Sequence, residues 1–237
     1  MSKGLNDRIL VISDLHAPFF HPDTVAFLAA LKKKYAPTRV ISVGDEVDKH
    51  ALSFHDSDPD LPSAGDELKY AIKSLQPLYR MFPDMDIVDS NHGSLIYRKA
   101  HAHGIPRKYI VPYGEVLDAP KGWKWSTDLI LPIPGGNQLY VHHGLAKDVG
   151  KVVAQRGLCV VSGHYHTEFR ITYLGNPNHL LWGMNVGCLI DPESIAFAYG
   201  RNNLGRPIIG CGVVLDGLPK LVPMVLTKKG RWNGVCP

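Results

Sequence analysis

Polar residues of a particular kind recur in this chain, each group directly behind a short apolar run. RILVIS (8–13) is followed by Asp14-Leu15-His16, and RVISVG (39–44) by Asp45, with Asp48 three residues on. DIVDS (86–90) precedes Asn91-His92, QLYV (138–141) precedes His142-His143-Gly144, and LCVVSG (158–163) precedes His164-Tyr165-His166. Mixed oxygen and imidazole donors suit Mn²⁺, Fe, Zn²⁺, Ni²⁺ or Co²⁺ better than Ca²⁺. With no thiolate in the set, a closed structural zinc site is disfavoured. A carboxylate that bridges two divalent cations holds them about 3.5–4 Å apart, the spacing of two-metal hydrolytic sites. Any one of these groups is commonplace, since a histidine at a strand exit is ordinarily a capped or solvated loop residue. The whole series, in order and each member behind an apolar strand, is not.

A parallel sheet must position such residues. In open α/β sheets the carboxyl ends of the strands gather on one rim, where ligands bind. The first ninety residues alternate accordingly. Between the runs 8–13, 39–44 and 86–90 lie helical patterns at 23–36, with Val25, Leu28 and Ala29 on one face, and at 66–82, with Leu68, Ile72, Leu75 and Tyr79 on one face. Pro22 and Asp23 suit the first turn of the earlier helix, and Pro77 should bend the later one or start a new turn. Residues 50–65 are polar, aperiodic and Pro-containing, which predicts a loop. Residues 95–104 predict a short helix ending at Gly104. The second half reads as strands: DLILPI, QLYVHH, LCVVSG, EFRITYL, HLLWGMN, GCGVVL and KLVPMVL, separated by Gly, Pro and Asn turns. There is no internal repeat, low-complexity tract or linker. The expectation is one domain over 1–237, a layered α/β sandwich of two sheets sharing a core, with 94–128 an insertion or cap near the site.

A chain of 237 residues buries roughly 70–75% of its unfolded surface, so no covalent staples are needed. Its net charge of +4 is compatible with a polyanionic substrate without being a nucleic-acid signature. The four cysteines (Cys159, Cys188, Cys211, Cys236) form no CxxC pair, which argues against a disulfide framework and for a reducing cytoplasm. No apolar run approaches 18 residues, and Asp7 and Arg8 interrupt the N-terminal stretch where a leader would be apolar. A soluble cytoplasmic protein is expected.

Taken together, Asp14-x-His16, Gly44-Asp45-x-x-Asp48, Asn91-His92, His143-Gly144 and Gly163-His164-x-His166 resemble the signature of the calcineurin-like metallophosphoesterases. The resemblance covers residues 8 to about 170, and NVGC (185–188) is similar to the family's short element after the last histidines. It implies a four-layer α/β/β/α sandwich of two mixed sheets and a binuclear centre at the strand ends, with Mn²⁺ the first choice of metal. Asp14, His16, Asp45 and His166 would then hold one cation. Asp45 would bridge to a second, completed by Asn91, His143 and His164. His92 would protonate the leaving oxygen or stabilise the transition state. Asp48 would brace the loop rather than bind metal. His142 and His143 leave a strand on opposite faces, so one of them faces the metals; the family's histidine is usually followed by a small residue, here Gly144, so the resemblance implies His143, leaving His142 behind the ligands or in solvent. One departure stands out. The family commonly has Gly before the Asn and an acid after the His, whereas this chain reads Ser90-Asn91-His92-Gly93, so the carboxylate that would orient His92 is missing locally.

The resemblance implies metal-dependent hydrolysis of a phosphoester. The stretch after His92 carries Arg98, Lys99, His101, His103, Arg107 and Lys108 among Tyr97 and Tyr109, with Trp123 and Trp125 beyond. Cations among aromatics grip phosphates and stack bases in single-strand binding surfaces, which puts a phosphodiesterase or nuclease, with nucleic acid a candidate substrate and Arg98, Lys99 and Arg107 its contacts, ahead of a phosphomonoesterase. The same residues also fit a solvated helix face with a minor aromatic core, and the acidic HDSDPD (55–60) would repel a polyanion if close by. A third reading is a binding module that keeps the fold without catalysis; the complete ligand series speaks against it.

Overall fold

The computed structural model describes residues 7–53, 58–175, 177, 179–200 and 205–237. Their order is β1 (Arg8–Ile12), α1 (Thr24–Tyr35), β2 (Arg39–Ser42), α2 (Ala64–Met81), β3 (Asp84–Val88), α3 (Leu95–Ala102), α4 (Tyr113–Val116) and β4 (Gly122–Ser126). Then follow β5 (Leu129–Pro132), β6 (Gln138–His142), α5 (Val149–Arg156), β7 (Cys159–Ser162), β8 (Phe169–Gly175), β9 (Leu180–Val186), β10 (Gly210–Leu215) and β11 (Leu218–Pro223). The first sheet runs β11-β10-β1-β2-β3-β4 and the second β5-β6-β7-β9-β8. β1 to β4 are parallel and β10 is antiparallel to β1. In the second sheet β6, β7 and β9 are parallel, with β5 and β8 antiparallel edges.

Alternation along the strands assembles the layers. In β1, Leu10 and Ile12 join a cluster with Phe27, Leu28 and Leu31 of α1 and Leu75 and Leu78 of α2. Ile9 and Val11, on the other face, join Leu139, Val141, Trp182 and Met184 of the second sheet. Val149, Val152 and Val153 bring α5 into that same cluster. Helices thus flank two mixed sheets that share a core, which is the α/β sandwich expected. Among the described residues no helix is long and apolar enough to cross a membrane.

Three elements differ from the reading of the sequence. α2 runs unbroken through Pro77: burial of Ala71, Leu75, Leu78 and Tyr79 on one side outweighs the lost backbone donor. α5 stands where only strands were read. Its eight residues are too few for a helical period to emerge, although Asp148 accepts a bond from the Gly150 N–H and Gly157 closes the helix in the left-handed conformation. Gly122–Ser126, within the supposed insertion, is the edge strand paired with β3. Asp23, for its part, makes no capping bond to α1; its carboxylate faces Arg231 and accepts from the Trp232 N–H. Residues 55–57 of the acidic loop lie outside the described residues.

Candidate metal centre

The strand exits are shaped by backbone that few side chains tolerate. Asp14, His16, Asp45, Lys49 and His164 all have positive φ, a conformation that costs a non-glycine residue energy and persists only when its surroundings over-determine it. Here the surroundings do so by interlocking the loops: the Asp14 N–H donates to the Gly44 carbonyl, the His16 N–H to Asp45 and the Ala17 N–H to Glu46. Gly44 sits at φ +101°, and a Cβ there would lie 2.5 Å from the Ser90 Cβ. A Cβ on Gly163 would lie 2.5 Å from Asp14 Oδ2. Both glycines allow one loop to press against another.

That pressing brings the predicted residues together. Asp45 Oδ2 is 3.5 Å from His16 Nε2 and 3.2 Å from His143 Nε2. Asp14 Oδ1 is 3.2 Å from His166 Nε2 and 3.9 Å from His16 Nε2. His143 Nε2 is 2.7 Å from Asn91 Oδ1 and 3.1 Å from His164 Nδ1. Asp14, His16 and His166 therefore form one group of donors within 4.8 Å of one another, and Asp45, His143 and His164 form another. His16, Asp45 and His92 satisfy the same distance, so separation alone does not divide His92 from the ligands.

Asp14 and Asp45 are fully buried, where an uncompensated carboxylate is costly. Burial raises both carboxyl groups, yet the surrounding imidazoles outweigh it and hold both well below the usual carboxylate range. Conversely, burial opposes the charged form of His143, but the Asp45 carboxylate overrides it and pushes this imidazole up to about 9. The pocket thus favours positive charge at its centre. A buried orphan supports the same point: among the described residues His16 Nε2 has no hydrogen-bond partner, although it faces both carboxylates. Oxygen and imidazole donors converging on fully buried carboxylates fit divalent cations.

The residues behind the donors set their aim. His16 Nδ1 is 2.6 Å from Asp48 Oδ1, which fixes Nε2 towards the centre. His143 Nδ1 donates to the Val43 carbonyl at 2.8 Å, with the same result. His92 Nδ1 donates to the Asp48 carbonyl, and its own N–H donates to Asp45 Oδ1 at 3.1 Å. The Asp48 main-chain carbonyl, not a carboxylate, therefore orients His92 in place of the acid absent after it. Burial lowers the His92 pKa, against the pull of Asp45.

His142 points away. It lies on the α5 side of β6, stacked on Tyr140 with ring centroids 5.2 Å apart; burial, first, and then His143 push its pKa down to about 4. It is buried rather than solvated.

Two contributors were not read from the sequence. Ser90 Oγ accepts from the Asp45 N–H (3.0 Å) and the Gly93 N–H (2.9 Å), a role no glycine there could fill. Lys49, 7% exposed, donates from Nζ to the carbonyls of His92 (2.6 Å) and Gly93 (3.0 Å) while lying 3.9 Å from the Tyr113 ring centre. A lysine just past a strand end ordinarily reads as a solvated charge, so only Ser90, as a departure from the family's glycine, carried a signal.

The proposed substrate residues are placed less uniformly. Arg98 turns back to the Asn91 carbonyl at 2.8 Å, and Lys99 reaches the Ser53 carbonyl at 3.2 Å. Arg107 lies 5.4 Å from the Tyr97 ring centre. Trp123 is no stacking platform: it is buried on the helix side of the first sheet, its Nε1–H donating to the Phe82 carbonyl, and Trp125 packs against the same cluster.

Two mixed sheets with helical outer layers make an α/β fold that matches solved metallophosphoesterase-like structures. Among solved structures, the chain is similar to a novel archaeal phosphodiesterase, at 15% identity and a TM-score of 0.50, over 91% of this chain and 99% of that one. It is also similar to vacuolar protein sorting 29 from Cryptosporidium parvum, at 15% identity and a TM-score of 0.52, over 96% and 94% of the two chains. At such identity the likeness is one of fold. No family model and no curated protein matches the sequence.

Proposed function

We propose that the chain is a metal-dependent phosphoester hydrolase with a binuclear centre, acting on diesters ahead of monoesters. The observation that carries this reading is Asp45: its Oδ2 lies within 3.5 Å of an imidazole from each flank, where one carboxylate serves two cations. Asp14, His16, Asp45 and His166 would hold one, and Asp45, Asn91, His143 and His164 the other, with Mn²⁺ the first choice and Fe, Zn²⁺, Ni²⁺ or Co²⁺ accepted by the same donors. When bound, such cations lower the pKa of water towards about 7 and neutralise charge on phosphoryl oxygens.

The chain's own part is orientation and proton transfer. Asp48 and the Val43 carbonyl aim the His16 and His143 rings. Donation of His92 Nδ1–H to Asp48 leaves Nε2 as the atom that would hand a proton to the leaving oxygen. Lys49 and Ser90 fix the peptide on which His92 rides. The description of the archaeal neighbour as a phosphodiesterase supports diester substrates, and a net +4 charge suits a polyanion. Widely spaced cysteines fit work in a reducing cytoplasm.

The test is a paired panel of bis(p-nitrophenyl) phosphate and p-nitrophenyl phosphate under each metal. Faster turnover of the diester supports the proposal. Faster turnover of the monoester would make the protein a phosphomonoesterase, and silence of fully loaded protein on both would leave a binding module.

A further inference from the structure

The segment from α3 to the turn at Arg107–Tyr109 is unlike the rest of the surface. Between residues 95 and 111 it carries Arg98, Lys99, Arg107 and Lys108 and no carboxylate. Most of its large apolar side chains face outward: Leu95 is buried, but Ile96, Tyr97, Ile105 and Val111 are exposed, and Tyr109 is 80% exposed. It also adjoins the centre. α3 starts three residues after His92, Arg98 is bonded to the carbonyl of Asn91, and Lys99 to that of Ser53. An eight-residue helix extends about 12 Å, so a segment that begins three residues after His92 spans roughly that length beside the site.

Resting on the phosphodiesterase reading, we infer that this segment is a platform for single-stranded nucleic acid, gripping the strand on the leaving-group side of the scissile bond. Tyr109 offers ring faces to an unpaired base, since every base has a stackable face. The Arg107 guanidinium lies over the Tyr97 ring, 5.4 Å from its centre, and this pair presents the guanidinium plane to a second base. Lys108 and Arg107 meet the backbone phosphates. The occupant is chosen by charge and continuity. A polymer with an anion at every residue matches four cations without an acid, and its phosphodiester is the bond the centre is proposed to cleave. Stacking on exposed rings demands bases free of a partner, so a single strand fits better than a duplex. Asp89 lies within electrostatic reach of Arg107, which makes Lys108 and Tyr109 the cleaner probes.

Fluorescein-labelled dT12 is titrated with the full chain in EDTA, which prevents hydrolysis, and followed by anisotropy. Tyr109→Ala is expected to weaken binding at least about fivefold, the effect of losing one stacked base. Lys108→Met is expected to reduce the slope of log K against log salt by about 0.7. Equal affinities for wild type and both variants would overturn the platform. So would a matching duplex bound as tightly as dT12. A third result against it would be phosphatidylserine vesicles whose binding depends on these residues while that of dT12 does not. Wild-type hydrolysis of bis(p-nitrophenyl) phosphate keeps the two claims apart: turnover without response to dT12 removes the platform alone, and variant-sensitive dT12 binding without turnover removes the phosphodiesterase reading alone.

Discussion

The strand-end rim and the α3 excursion are built from overlapping side-chain types, yet they hold them in opposite ways. On the rim, Asp14, His16, Asp45 and His143 are buried, His92, His164 and His166 half-buried, and the central groups are gripped from another strand: His16 by Asp48, His143 by the Val43 carbonyl, Asp45 by the N–H of His92. Along the excursion, Tyr97, Arg107, Lys108 and Tyr109 are exposed, and ties to the site run through Arg98 and Lys99. Sheet register therefore dictates the rim, because moving one donor moves a strand. The excursion is dictated by little beyond its own helix. On the proposed reading, fixed chemistry and adjustable substrate grip are divided between an interlocked part and a peripheral one.

Asp45→Ala sets the upper end of this contrast. Asp45 is the residue within reach of imidazoles from both donor groups, so its loss should abolish turnover and cation pairing together. Metal content by mass spectrometry after dialysis, beside activity, checks both. A variant that retained two cations per chain would show that the rim does not share this carboxylate.

His92→Gln should come next, reducing turnover by roughly 10²–10⁴-fold, the usual size of a general-acid effect. Both metals should stay, because His92 Nδ1 is committed to the Asp48 carbonyl. His92 also stands within ligand distance of His16 and Asp45, which makes metal content the decisive measurement. Loss of a cation would move His92 from acid to ligand.

This division also marks where the sequence was readable. The rim was legible because each donor follows an apolar run, and a buried parallel strand announces itself by composition. The sandwich followed from the same runs. His142 and His143 separated because a strand alternates. What escaped was held by contacts between distant loops: Lys49 binds the peptide of residues 92 and 93, and Ser90 binds the N–H of Asp45. Nothing local to Lys49 distinguishes it from a surface lysine. Trp123 was read with the excursion because aromatic and basic neighbours surround it, while its pairing with Met85 across the sheet depends on tertiary context. α5 was too short to show a period.

The same substitution made in both regions gives the finest comparison. Lys49→Met removes the donor shared by the His92 and Gly93 carbonyls, and a buried acceptor left unpaired costs about 1–3 kcal/mol. For a chain of this length that lowers Tm by about 2–4 °C per kcal/mol. It should also slow turnover roughly tenfold through misplacement of His92, with kcat falling rather than KM rising. Lys49→Arg keeps a charged donor near both carbonyls and should recover part of kcat, which a purely structural loss would not explain. Lys108→Met, on the exposed excursion, should leave stability within about 0.5 kcal/mol of the parent. Thermal melts of the three variants with single-turnover rates on the small diester measure every term. Equal losses at 49 and 108 would mean that the excursion is braced as firmly as the rim, and that the two regions do not divide the work.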